Sequence, residues 1–201
     1  MYLRPAFTSD DLDRIVPVIT ENAFGTLITR TEAGMEASHV PFLVARAGEG
    51  VVLSGHLGRP NSQCAAFEGG PALAVFSGPH AYIAPGWYAT QPAVPTWDYV
   101  AVHVHGVLEP VDDFAGTTEI LRGLSAHDPA GFDMDALASD YLAGMLRGIR
   151  AFRLRSTRIE AQWKLSQNRS VADREGVIAG LRSEGQHATA DLVAATLPAT
   201  A

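Results

Sequence analysis

The sequence predicts a mainly β chain with added helices, an α+β fold built on an antiparallel barrel, closed or partly closed. Three observations carry that expectation. Apolar or alternating segments of strand length recur along the 201 residues, bounded by Gly, Pro, Asn or Asp. Strands follow strands instead of alternating with helices, which excludes a doubly wound sheet. The helical patterns fall before, between or after the strands, where they decorate a barrel.

Taken in order, Ser9-Asp10-Asp11 predicts the cap of a helix whose Leu12, Ile15, Val16 and Ile19 share one face. Pro17 inside that pattern predicts a kink or an early end. FGTLITR (24–30) and EASHVPFLV (36–44) read as a hairpin, and VVLSGH (51–56) as a third strand. A short helix around NSQCAAFE precedes ALAVFSG (72–78), the fourth strand. Pro79 to Thr96 lacks periodicity and predicts a long functional loop. The strand at 97–111 then points Val100, Val102 and Val104 one way, with Ala101, His103 and His105 the other. FAGTTEILRGLSAH and DALASDYLAGMLRGI read as helices. In the last strand, 151–163, Phe152 and Leu154 turn inward while Arg153 and Arg155 turn outward. Helical stretches at 170–183 and 186–196 close a single domain, 1–201, whose C-terminal helical segment begins at about 164.

Composition narrows the function. No stretch approaches the roughly 18 apolar residues of a membrane span, and the N-terminal residues lack a signal-peptide pattern, so a cytoplasmic location is expected. The single cysteine, Cys64, excludes an internal disulfide and a cysteine-based zinc cluster. A net charge of −7 argues against direct DNA binding. The charge is uneven: residues 147–174 hold 7 Arg and Lys164, the only lysine, against Glu160 and Asp173. Such a stretch either meets an anion or pairs with acids elsewhere in the fold.

His103 and His105 share a strand face, but a metal site needs further ligands, and no dedicated metal site is expected. Dinucleotide, P-loop and nucleophile-elbow motifs are absent from the sequence. A different character marks SGHLGRPN (54–61), SGPHAYIAPGWY (77–88), VPTWDYVAVHVHG (94–106) and QWKLSQNR (162–169). Each mixes turn residues with hydrogen-bonding groups, and most add aromatics or cations. Aromatic faces suit a planar conjugated small molecule, and Arg59, Lys164 and Arg169 suit its phosphate or carboxylate.

With MYLRPAF, NAFGTLIT and SHVPF, these segments resemble the PaiB family of FMN-binding negative transcriptional regulators over nearly the whole chain. Gly58 and Pro60 stand where the family has alanines, Cys64 where it has tryptophan, and Asp98 where it has asparagine. The resemblance implies an FMN-binding split β-barrel, antiparallel and Greek-key-like, and a homodimer with the cofactor at or near the subunit interface. It implies a regulatory or flavin-dependent oxidoreductase role, with His56, Arg59, Asn61, Tyr82, Trp97, Lys164 and Gln167 as cofactor-binding residues. The piperazate synthases, haem-dependent enzymes that form an N–N bond in a hydroxylated ornithine, are relatives on the same fold. They supply the alternative: haem b, with His56 as axial iron ligand.

Overall fold

Side-chain alternation builds the sheet. The computed structural model describes residues 1–126 and 128–198. Its strands are β1 (Phe24–Thr31), β2 (Gly34–Pro41), β3 (Leu43–Ala47), β4 (Gly50–Gly58), β5 (Pro71–Ile83), β6 (Thr96–Val111) and β7 (Ile149–Lys164). They hydrogen-bond in the order β2-β1-β5-β6-β7-β4-β3. The β1–β2, β1–β5, β3–β4 and β4–β7 pairs are antiparallel. The helices are α1 (Leu12–Glu21), α2 (Phe114–Ser125), α3 (Ser139–Arg147), α4 (Val171–Ser183) and α5 (His187–Ala194). None of the described helices is long and apolar enough to cross a membrane.

The strand expected over 36–44 is two strands. It breaks at Phe42, whose buried ring and N–H bond to the Ala23 carbonyl, 2.9 Å, pull the chain inward between β2 and β3. These consecutive strands lie on opposite edges of the sheet, so the sheet curls. At Gly55 of β4 a Cβ would stand 3.1 Å from Val40 Cγ1 and 3.2 Å from the Pro41 carbonyl oxygen. The bare backbone there lets β4 come close to β2.

Two compact units emerge, and β5, β6 and β7 each contribute to both. The barrel unit comprises Leu12–Phe76 and His103–Ile159. Its core is aromatic: Phe42 meets Phe76 at 5.3 Å and Phe152 at 6.0 Å between ring centroids, and Phe67 meets Phe152 at 4.9 Å. On the other face of the sheet, Ile120 and Leu124 of α2 pack with Val111 and Ala151. Ile15 and Ile19 bury one side of α1. That helix continues through Pro17 instead of ending there, because Pro17 lies on the exposed side, where water can satisfy the carbonyl it leaves unpaired.

The terminal unit comprises Met1–Asp11, Ser77–Val102 and the chain from Glu160 on. Here β5 runs to Ile83, beyond the expected end at 78, so the first part of the expected loop is strand. Burial explains the misreading: Ala72, Ala74, Phe76 and Gly78 face inward, then Ala81 and Ile83 do, so the alternation slips phase at Pro79-His80. Ser170 caps α4 by accepting from the Asp173 N–H at 3.1 Å, and Val177 and Leu181 bury its inner face.

Phe152 joins the barrel's aromatic core from β7. Phe152→Ala is expected to lower unfolding free energy by about 3–5 kcal/mol, read as a lower urea midpoint at unchanged slope.

Candidate functional site

In the barrel unit, β4 delivers SGHLGRPN to a tight corner. The Asn61 N–H closes it on the Gly58 carbonyl at 2.9 Å. Asn61 then caps the 3-10 turn Ser62–Phe67, its Oδ1 accepting from the Gln63 N–H at 2.9 Å while its Nδ2 donates to Ser38 Oγ at 3.0 Å. Buried Gln63 continues the network to Thr29 Oγ1 at 2.9 Å and the Leu27 carbonyl at 3.2 Å. Asn61 is therefore engaged in holding the corner. Arg59 donates through Nε to the Arg147 carbonyl, 3.0 Å, and through Nη2 to the Ile149 carbonyl, 2.9 Å, at the end of α3. With Arg147, Arg150, Leu146 and Phe114 it lines a cleft of about 280 Å³.

His56 stands opposite Ala151 of β7, on the face that α2 covers. Its Nδ1 is buried without a hydrogen-bond partner. Burial holds the imidazole below its ordinary pKa, so the neutral ring is favoured. A neutral, oriented imidazole suits ligation chemically, but the buried Nδ1 offers no open approach.

The expected basic stretch is largely paired with acids. Arg155 meets Glu109 at 3.1 Å, Arg150 meets Asp112 at 3.2 Å and also Glu68, and Arg153 lies 3.9 Å from Glu119. His105 receives Arg158 Nη2 at 3.1 Å.

In the terminal unit, Tyr82 at the end of β5 meets Trp97 at the start of β6, edge to face at 5.9 Å. His80 is tilted against the same indole at 6.4 Å. Trp97 is 55% exposed and Tyr82 47%, and Trp97 lines a cleft of about 340 Å³ with Ser77, His80, Tyr99, Val100 and Ala101. His80 and Tyr99 were not among the expected site residues. The period-two face shared by Trp97, Tyr99 and Ala101 was the signal for one of them.

Behind the indole lies an ionic knot. Asp98 is 0% exposed; its Oδ2 accepts from Ser166 Oγ at 2.7 Å, and its Oδ1 lies 3.5 Å from Lys164 Nζ. Burial pushes the Asp98 carboxyl above its ordinary value against the pull of Ser166 and Lys164. Lys164 also donates to Thr96 Oγ1 at 2.7 Å and to the Trp97 carbonyl. Gln167 turns back on its own corner, accepting from the Leu165 N–H at 2.7 Å and donating to the Trp163 carbonyl at 2.5 Å. Arg169 lies over the Tyr88 ring at 4.4 Å. The structure thus brings Tyr82, Trp97 and Lys164 together, while Gln167 shapes the turn after Lys164.

This sheet order and curl define a split barrel, and solved structures share it. The flavocytochrome Anf3 from Azotobacter vinelandii superposes with a TM-score of 0.64 at 13% identity, covering 81% of this chain and 72% of that one. An FAD and haem binding protein from Mycobacterium smegmatis gives 0.58 at 16% identity, covering 78% and 73%. At such identities the likeness establishes the fold. Sequence fixes the family: residues 1–158 match the model described as "Putative FMN-binding domain", and the chain belongs to that family. The "Protease synthase and sporulation protein PAI 2" of Bacillus subtilis (strain 168) is 34% identical over 188 residues, covering 92% of this chain and 90% of the relative. An uncharacterised protein of Aspergillus fumigatus is 25% identical over 240 residues, covering 92% of each. The resemblance to PaiB read from the motifs is borne out.

His56 gives the barrel unit a signature in acid. Between its depressed pKa and the ordinary value near 6.5, the unfolded chain binds a proton that the folded chain refuses, so stability falls as pH drops through that window. His56→Gln is expected to reduce that loss, measured as the difference in urea midpoint between about pH 7.5 and about pH 5. An unchanged difference would show that other groups set the acid limb.

Proposed function

We propose that this chain is an FMN-binding split-barrel protein of the PaiB type, acting on or through a small molecule, with the flavin held at the Trp97 cleft. One observation carries the placement: Trp97 and His80 line an open cleft, with Tyr82 edge to face on the Trp97 indole, in a family of FMN-binding domains. A flat conjugated ring fits such a surface. Trp97 and Tyr82 would contact the ring. Lys164 would act from beneath, since its ammonium holds the Trp97 carbonyl and balances Asp98. His56, Arg59 and Asn61 carry the family motif within the barrel unit, where Asn61 holds its corner and Arg59 the end of α3. Bound flavin supplies one- or two-electron redox chemistry.

The exposed indole and phenol in mutual contact, and Val94 at 68% exposure in the loop between them, are apolar groups that a second copy of the chain would cover, giving a homodimer. A regulatory role exerted through a small molecule suits the charge distribution better than direct DNA contact, because Arg150, Arg153 and Arg155 are matched to acids. A cytoplasmic location accords with that role.

The haem alternative rests on one observation, the neutral His56 with its unpartnered Nδ1. The visible spectrum separates the readings. Flavin bands in the blue are expected from purified or FMN-reconstituted protein, whereas a Soret band abolished by His56→Ala would replace flavin by haem. Trp97→Ala and Lys164→Met are expected to weaken FMN retention, and Arg153→Met to leave it intact. If Lys164 acts through Asp98, Lys164→Met combined with Asp98→Asn will recover part of the loss. Light scattering at micromolar concentration is expected to give a dimer mass, and a monomer mass would remove the interface from the proposal.

A further inference from the structure

The family match ends at residue 158, yet a helix beyond that point grips the segment that carries the aromatic pair. Between Tyr82 and Trp97 the chain makes an excursion, and its two ends meet at the edge-to-face contact of those rings. The two rings stand on neighbouring strands, and the excursion closes the end of that pairing where they meet. Three fastenings come from α4 and the turn leading into it. The first is a notch: a Cβ at Gly180 would overlap the Trp87 indole, and one at Gly176 would collide with the Trp87 carbonyl oxygen. These glycines lie one turn apart, so the indole and its own backbone seat against bare helix backbone. The second is the Thr90 N–H, which donates to Asp173 Oδ1 at 2.7 Å. The third is the Tyr88 ring beneath the Arg169 guanidinium at 4.4 Å. Trp87, Tyr88 and Thr90 are thus held within four residues of chain by groups from Arg169 to Gly180.

We propose that α4 is a positioning element of the ligand site, its Gly176/Gly180 notch clamping Trp87 and thereby setting the Tyr82–Trp97 pair against which the ligand rests. This rests on the FMN reading above. Trp87 does not touch the ligand; it acts through the two rings at the ends of its loop. Its contribution is preorganisation: a loop already held in its bound conformation loses less freedom on binding.

The test uses the full chain with FMN as probe. Gly180→Ala fills the notch. It is expected to weaken FMN binding on the order of tenfold by fluorescence quenching, and to speed hydrogen exchange at the Thr90 amide. Trp87→Ala should do the same, and the double variant should be no worse than Trp87→Ala alone, because notch and indole act as one unit. Val193→Ala in the core of α5 is the control for lost stability. It should lower the melting temperature and leave FMN affinity within about twofold. Exchange at Thr90 unchanged in Gly180→Ala overturns the clamp. Exchange accelerated without weaker FMN binding overturns its positioning role. Equal loss of affinity in Val193→Ala also overturns it, by showing a general effect of stability. A wild-type chain that fails to quench FMN overturns the flavin reading itself, and with it the role of the clamp in holding that ligand. A Gly180→Ala chain that fails to fold leaves Trp87→Ala to decide by the same readouts.

Discussion

A carboxylate in the interior demands a partner, and Asp98 sets that demand on the terminal unit. An isolated buried charge is strongly unfavourable. The chain answers with its only lysine and a serine: Lys164 at 3.5 Å from Oδ1, Ser166 at 2.7 Å from Oδ2. Both answers follow from the last residues of β7. To bring Ser166 Oγ onto Asp98 the backbone turns at φ +60°, a conformation uncommon for a serine. Gln167 braces that turn with two bonds to its own backbone, and the chain leaves it towards the N-terminus of α4. The start of β6, the end of β7 and the launch of α4 are therefore tied to one ion pair.

The same knot explains why the conspicuous residues of KLSQNR do not all point at a ligand. Lys164 looks like an anion receptor because it is the only lysine. In the structure its ammonium is shared among Asp98, Thr96 and the Trp97 carbonyl. In the proposed site it would act through the backbone of Trp97. Asn61 makes the same point in the barrel unit, where its amide caps a 3-10 turn and reaches Ser38. A motif can mark a site because it builds the walls as well as because it touches what lies between them.

Much of the fold was legible because alternation is a local property. Val100, Val102 and Val104 bury along β6 as their spacing requires, and Phe152 and Leu154 do so along β7. Three features escaped local reading, each for a physical reason. The break at Phe42 is imposed by the barrel's closure, which no window around Val40 and Leu43 contains. The phase slip at Pro79-His80 destroys the period that would have revealed the end of β5. Pro17 reads as a helix breaker, but its place on the exposed side of α1 removes the penalty that counts most. Of the site, the aromatic segments were legible as a group, since aromatics beside turns are few. The partners of individual residues were not, because Trp97 and Lys164 are far apart in sequence.

The glycines of α4 carried the least signal of all, and glycines at two places in the barrel unit work in a similar way. A glycine inside a helix is ordinarily a defect of about 1 kcal/mol relative to alanine. In the barrel unit, Gly25 faces Phe76 at a separation where a Cβ would stand 2.8 Å from the ring, and Gly55 faces Phe152 and Val40. In the terminal unit Gly176 and Gly180 face Trp87. Gly25, Gly55 and Gly180 each set a missing side chain opposite a large ring, and Gly176 sets one opposite the Trp87 carbonyl, so that the backbones draw close. The intrinsic loss at a glycine is local, whereas the aromatic burial it permits joins segments far apart in the chain. In the barrel that burial helps close the sheet. In the terminal unit it fastens a loop to a helix, and the residues between Tyr82 and Trp97 acquire a fixed course without a regular hydrogen-bonded ladder of their own.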